Sequence, residues 1–184
     1  VDRMSDSTFT IAENQMTVKG VTIGFVGIQT PYSISRMRNA VKKAARVSAL
    51  TRDLSELLPD LVERLRGRIQ PSAAPLAYHP PCTLQHGQKL RGGVETQLAR
   101  LGFQLRTART ESHLCCGSAG TYSILQSDIS QQLRTRKLDA LDEAFEGGAP
   151  AAILSANIGC ITHLQAGTAV PVRHWVEVLD EALV

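Results

Sequence analysis

Between residues 39 and 68 apolar side chains recur at spacings of three and four. Val47, Leu50, Leu54, Leu57, Leu58, Leu61 and Leu65 make one stripe, which predicts an amphipathic helix. Pro59 is expected to kink or split it. Ahead of this stretch, residues 1–20 are polar without clear period. Residues 21–28 read as a short strand or irregular apolar run, stopped by Gln29-Thr30-Pro31. Residues 70–75 hold two prolines and read as a linker.

Beyond the linker, strands and helices alternate. Residues 76–79 are strand-like and stopped by Pro80-Pro81. A helix carries Leu90, Val94, Leu98 and Leu101 on one face and closes at Gly102. The pair Gly92-Gly93 suggests that another backbone comes close. Residues 103–105 form a second short strand, and a helix opens near Gly117. Ser127 is the expected N-cap of a further helix with Ile129, Leu133, Leu138, Leu141 and Phe145. Gly147-Gly148 ends it. Residues 151–155 read as a buried strand, 161–166 as a short helix, and 170–172 as an edge strand. Trp175, Val176, Leu179 and Leu183 mark a closing helix.

This alternation predicts an α/β fold, a small parallel sheet flanked by helices over residues 71–184. A helical segment and linker (40–70) precede it. Residues 1–39 are expected to be a poorly ordered N-terminal arm.

Composition narrows the function. Hydrophobic residues make up 43% of the 184 positions and charged residues 20%, as in a globular chain. Aromatics at 4% argue against a base-stacking binder, and a net charge of +3 is too weak to imply nucleic acid. The basic excess lies in front. Residues 1–70 hold 11 basic and 7 acidic side chains, whereas 71–184 hold 9 and 10. No apolar run reaches membrane-span length, and no export signal opens the chain, so the expected compartment is the cytoplasm. The chain opens on Val1 and reads as a piece, a processed form or an alternative start.

The four cysteines change the picture most. Cys82, Cys115, Cys116 and Cys160 all lie beyond residue 81, each beside Pro, Gly or His, where backbone N–H groups are free. Buried filler, redox thiols and a metal site are the three readings, and the local sequence favours the metal site. A zinc site lacks its usual Cys-x-x-Cys pair. Cys82 and Cys160 each follow the carboxyl end of an expected strand, and Cys115-Cys116 lies in the loop after residues 103–105. Open parallel sheets bind ligands at that edge. The four sulfurs are therefore expected within about 10 Å of one another. His79 and His113 precede cysteines closely and suit hydrogen bonding to ligands. His86 and His174 read as structural. Gly117 allows the bend that lets adjacent cysteines ligate together. The loop Gly117-Ser118-Ala119-Gly120 is a weak anion-binding candidate. Arg134, Arg136 and Lys137 read as a solvated face.

The motifs His79-Pro80-Pro81-Cys82-Thr83-Leu84-Gln85-His86, Leu114-Cys115-Cys116-Gly117-Ser118-Ala119-Gly120, Asn157-Ile158-Gly159-Cys160 and Pro171-Val172-Arg173-His174-Trp175 resemble the CCG cysteine-rich domain family. That family is related to the cysteine-rich component of heterodisulfide reductase. The closer similarity is to iron–sulfur subunits of glycolate oxidase, over roughly residues 44–184. The resemblance implies an electron-transfer subunit with an iron–sulfur cluster, expected to be 4Fe-4S. It implies flavin-containing glycolate oxidase subunits as partners, glycolate oxidised to glyoxylate, and electrons passed toward membrane quinone. The subunit would lie at the inner face of the cell membrane through its partners and would not act alone. By position, Cys82, Cys115, Cys116 and Cys160 match four ligands. His163 stands where the family has a fifth cysteine and is the candidate fifth ligand. The ferredoxin-like cysteine runs and the first cysteine-rich copy of whole subunits are missing. A non-catalytic assembly module with vestigial cysteines is the alternative.

Overall fold

The computed structural model describes the backbone of residues 9–12, 15–18, 21–24 and 31–184, and side chains from residue 39 onward. The chain divides into two compact units, Val1–Arg52 and Asp53–Val184.

The first unit holds β1 (Phe9–Ala12), β2 (Gln15–Val18), β3 (Val21–Gly24) and α1 (Pro31–Leu50). The strands form an antiparallel sheet in sequence order. Register pairs Phe9 with Val18, Ile11 with Met16 and Met16 with Ile23, while Thr10, Thr17 and Thr22 align. β3 falls in the apolar run expected to be a strand. β1 and β2 were not legible, because four residues per strand are too few for a period of two to stand out. The expectation of poor order over 1–39 falls in part on residues outside those described.

The second unit begins with α2 (Leu54–Leu65). The break between α1 and α2 falls at residues 51–53 rather than at Pro59. Asp53 caps the new helix, accepting from Ser55 N at 2.9 Å while Glu56 accepts from Asp53 N at 2.7 Å. This reciprocal box satisfies backbone N–H groups at a helix start. Pro59 sits inside α2, where burial of Leu58 and Val62 outweighs one lost hydrogen bond. The segment read as a linker is pinned in place. Gln70 N donates to Ala182 O at 2.8 Å and Val184 N to Arg68 O at 3.0 Å.

Four parallel strands follow, β4 (Leu76–Tyr78), β5 (Leu105–Thr107), β6 (Ile153–Ser155) and β7 (Val172–His174), in the order β5-β4-β6-β7. Helix α3 (Gly93–Arg100) joins β4 to β5. Helices α4 (Tyr122–Leu125) and α5 (Ser127–Asp142) join β5 to β6. Helix α6 (Ile158–Gln165) joins β6 to β7, and α7 (Trp175–Glu181) closes the unit. This is the expected small parallel sheet flanked by helices.

Alternation along the strands builds two cores. Leu76, Tyr78 and Leu154 pack with α2, α3 and α7. Ala77, Ile153 and Val172 pack with α5 and α6, and Cys116 and Cys160 lie in this second core. From β4 the chain steps to one side of the sheet, and from β6 to the other. Crossovers of one hand then place α3 and α6 on opposite faces. The switch point lies between the carboxyl ends of β4 and β6.

Two local expectations are corrected. Gly92 and Gly93 meet no other backbone. Gly92 instead takes φ +71, the left-handed conformation that starts α3. No helix opens at Gly117: the chain loops to Tyr122, so the anion-binding reading of 117–120 loses its helix. Among the described residues, no helix is long and apolar enough to cross a membrane.

Candidate metal centre

Strand alternation decides where His79 points. It follows Tyr78 and continues the ladder, its N–H donating to Leu154 O at 2.8 Å. It therefore shares the face of Ala77, on the side of α5 and α6. Ser155 Oγ donates to the His79 carbonyl at 2.9 Å. The ring is 1% exposed, and neither nitrogen has a hydrogen-bond partner among the described residues. A nitrogen of that ring, Cys116 Sγ and Cys160 Sγ all lie within 4.8 Å of one another.

Each cysteine is set by a different local device. Pro80-Pro81 ends β4, and Cys82 opens a π-helical turn at Thr83–Gly87. Gln85 in that turn donates to Pro80 O at 2.7 Å and reaches Ser112 O at 3.4 Å, tying the first cysteine segment to the second. Cys160 sits in the first turn of α6. That helix starts three residues before its expected position, because Asn157 Oδ1 accepts from Gly159 N (2.9 Å) and Cys160 N (3.3 Å). Cys115 and Cys116 lie in an extended loop whose bend is Gly117, at φ +95. A Cβ at Gly117 would run into the Ser130 carbonyl, so α5 permits only glycine there.

The thiols form a row. Cys82 contacts Cys115, Cys115 contacts Cys116, and Cys116 contacts Cys160. All four are free, and they come from three distant stretches of chain. The neighbouring Cys115 and Cys160 thiols, with burial, push the Cys116 thiol well above the ordinary thiol range. Cys82 is pushed up by its hydrogen bond to Cys115 and by burial. Hydrogen bonds from Cys116 and Cys82 pull Cys115 well down. The neighbouring Cys116 lowers Cys160 to about 5 against the effect of burial, with Ser118 adding. Donor and acceptor thiols thus alternate, because four neighbouring thiolates would repel one another.

A cleft of about 820 Å³ opens over the row, lined by Cys82, Cys115, Ser118, Gly159, Cys160 and His163. Cys116 lies buried beneath it. Ser118 Oγ accepts from Cys116 Sγ at 3.5 Å and lies 3.9 Å from Cys160 Sγ. His163 follows Cys160 by one turn and faces the cleft. Its Nε2 is already engaged, 3.2 Å from Ser130 Oγ and 3.3 Å from Ser130 O.

The remaining candidates separate. The His113 side chain is exposed; its backbone carbonyl contacts His86 Nε2 at 3.2 Å. His174 caps α7, accepting from Val176 N at 3.2 Å, with its ring 5.5 Å from that of Trp175. The basic trio is a solvated face only in part: Arg136 is exposed and Arg134 half-buried, but Lys137 is not. Arg136 pairs with Glu111, and Lys137 is 2% exposed. Lys137 Nζ donates to Glu111 O at 2.7 Å and reaches Ser112 O at 3.4 Å. Burial lowers its pKa, while Cys82, Cys116, Glu111 and Cys115 pull it back. Lys137 went unseen because a lysine beside arginines reads as surface. The available signal was its place seven residues after Ser130, on one helix face.

The donor set fits a thiophilic metal group: four thiols in contact, and an imidazole whose two buried nitrogens lack partners. Residues 76–165 match the CCG cysteine-rich domain family. The chain is 49% identical over 148 residues to the glycolate oxidase iron–sulfur subunit of Escherichia coli K12, covering 78% of this chain and 35% of that protein. It is 27% identical over 152 residues to lactate utilization protein A of Geobacillus thermodenitrificans, covering 76% and 58%. It thus spans about a third of the first relative and under two thirds of the second. Residues 76–165, with all four cysteines and the fold around them, form a CCG cysteine-rich domain.

Proposed function

We propose that this chain is the cluster-holding part of an electron-transfer subunit in a complex that oxidises glycolate to glyoxylate. The observation carrying this reading is the convergence of Cys82, Cys115, Cys116 and Cys160 at the switch point of the sheet, beside the unpartnered ring of His79. A bound iron–sulfur cluster, of the 4Fe-4S class, supplies one-electron transfer.

The four cysteines are the thiolate ligands. His79 approaches Cys116 and Cys160 from beneath, as a fifth ligand or as a donor to a bound sulfur. His163 lines the same cleft but is held by Ser130, and it is the other candidate fifth ligand. Gly117 and Ser130 hold the Cys115–Cys116 loop on α5, and Gln85 ties it to the turn carrying Cys82. Burial of Cys116 keeps water from the inner side of the site.

Glycolate is oxidised on a flavin-bearing partner subunit, so this chain is not active alone. The name of the Escherichia coli relative, a glycolate oxidase subunit, supports the partner assignment. The chain works in the cytoplasm and reaches the inner face of the cell membrane only through partners.

The test is anaerobic purification or reconstitution of the chain with analysis of iron and labile sulfide. A brown protein carrying iron and sulfide in comparable amounts is expected. A colourless chain that takes up neither under reconstitution would leave the site as an assembly module with vestigial cysteines.

A further inference from the structure

Lys137 is a buried cation for which ligand holding alone gives no role. Two helical turns separate it from Ser130 on α5, so both side chains emerge on one face. Ser130 grips the cysteine loop at Gly117, donating to its carbonyl at 2.8 Å. Lys137 grips the same loop at Glu111 and Ser112. The Cys115–Cys116 pair lies between these two anchor points. Glu111 offers Lys137 a carbonyl, while its carboxylate pairs with Arg136. An ammonium that is 2% exposed and bonded to neutral carbonyls is costly to keep in a fold unless anions stand nearby. The loop it grips carries Cys115 and Cys116 three and four residues beyond Ser112, and Gln85, from the turn that Cys82 opens, reaches the same Ser112 carbonyl. Two neutral hydrogen-bond donors at position 137 could hold the loop equally well, so the charge itself needs a reason.

We propose that Lys137 is a positioning residue of the metal centre: it clamps the Cys115–Cys116 loop and supplies a fixed positive charge that favours the reduced form of the bound cluster. The inference rests on the iron–sulfur reading above. Each electron added to the site adds one negative charge. A buried cation nearby offsets that charge and raises the reduction potential.

The test uses the full chain and its K137Q and K137R variants, each reconstituted anaerobically with ferrous iron and sulfide. Dithionite titration followed by electron paramagnetic resonance reads the midpoint potential, and circular dichroism reads helix content. K137Q keeps a donor for the loop carbonyls but no charge. Its reduction equilibrium should shift about tenfold toward the oxidised form, a fall of about 59 mV for one electron. K137R should stay near the parent value. A folded K137Q that takes up no iron while K137R does also supports a requirement for the charge. An unchanged potential in K137Q overturns the proposal. So does loss of iron from both variants, or loss of helix content in K137Q, since shape rather than charge would then matter. A parent chain without iron defeats the electron-transfer reading itself, and this inference with it.

Discussion

The Ser130 hydroxyl donates to the carbonyl of Gly117 at 2.8 Å, and this bond fastens the cysteine loop to helix α5. Both groups are buried, and Gly117 lies against the Ser130 backbone too closely for any side chain. This contact is one anchor of the loop that carries Cys115 and Cys116.

Gly117→Ala should destabilise the second unit by about 2 kcal/mol or more, since it adds a clash to a left-handed conformation. The matching loss in melting temperature is about 4–8 °C. Gly120→Ala is the control: φ there is +57, and a Cβ would meet nothing within 4 Å. Thermal unfolding of the two variants checks this. Equal losses would mean that the close approach to Ser130 is unimportant.

Ser130→Ala should cost about 1–2 kcal/mol, because it strands the buried Gly117 carbonyl. It also frees His163 Nε2 from the hydroxyl. Denaturant unfolding measures the loss, and a variant as stable as the parent would refute the anchoring role.

The two histidines should behave differently in iron uptake. His79→Ala should lose most of the bound iron, since its ring stands beside Cys116 and Cys160 with no other partner among the described residues. His163→Ala should retain it, because that ring is occupied by Ser130. His86→Ala should match the parent, whereas Cys115→Ser and Cys116→Ser should bind none. Iron per chain after anaerobic reconstitution is the readout. The reverse order for His79 and His163 would make His163 the fifth ligand.

Asp53→Ala should remove the cap of α2 and cost about 1 kcal/mol at neutral pH. Asp53→Asn should cost less, since asparagine also caps. Burial raises the Asp53 pKa, but hydrogen bonds from Ser55 and Gln88 outweigh it and bring the value below that of an ordinary aspartate. The folded state therefore favours the carboxylate. This stabilisation is fully present above the ordinary aspartate pKa and fades as pH falls through the lower folded value. The stability gap between parent and Asp53→Ala should narrow in acid. A gap constant from neutral pH down to strong acid would contradict the carboxylate's role.

The four cysteines and their strand-end positions were legible from the amino-acid order. Alternating strand and helix patterns mark where a parallel sheet ends, and ligands gather at that edge. The need for glycine at 117 was legible as well, since adjacent cysteines facing one site require a bend. Helix starts were less so. Asp53 and Asn157 begin helices through their own side chains, and apolar period alone misses such caps by several residues. The roles of His79 and Lys137 came only from the tertiary structure. His79 gains its place from the face that Ala77 occupies, once β6 pairs with β4 and α5 and α6 cover that face. Lys137 is buried because the loop at Glu111 and Ser112, 25 residues earlier in the chain, folds back over it. Local sequence specifies what each segment becomes. Which polar groups are taken from water is decided by segments far away in the chain, through the packing that closes over them.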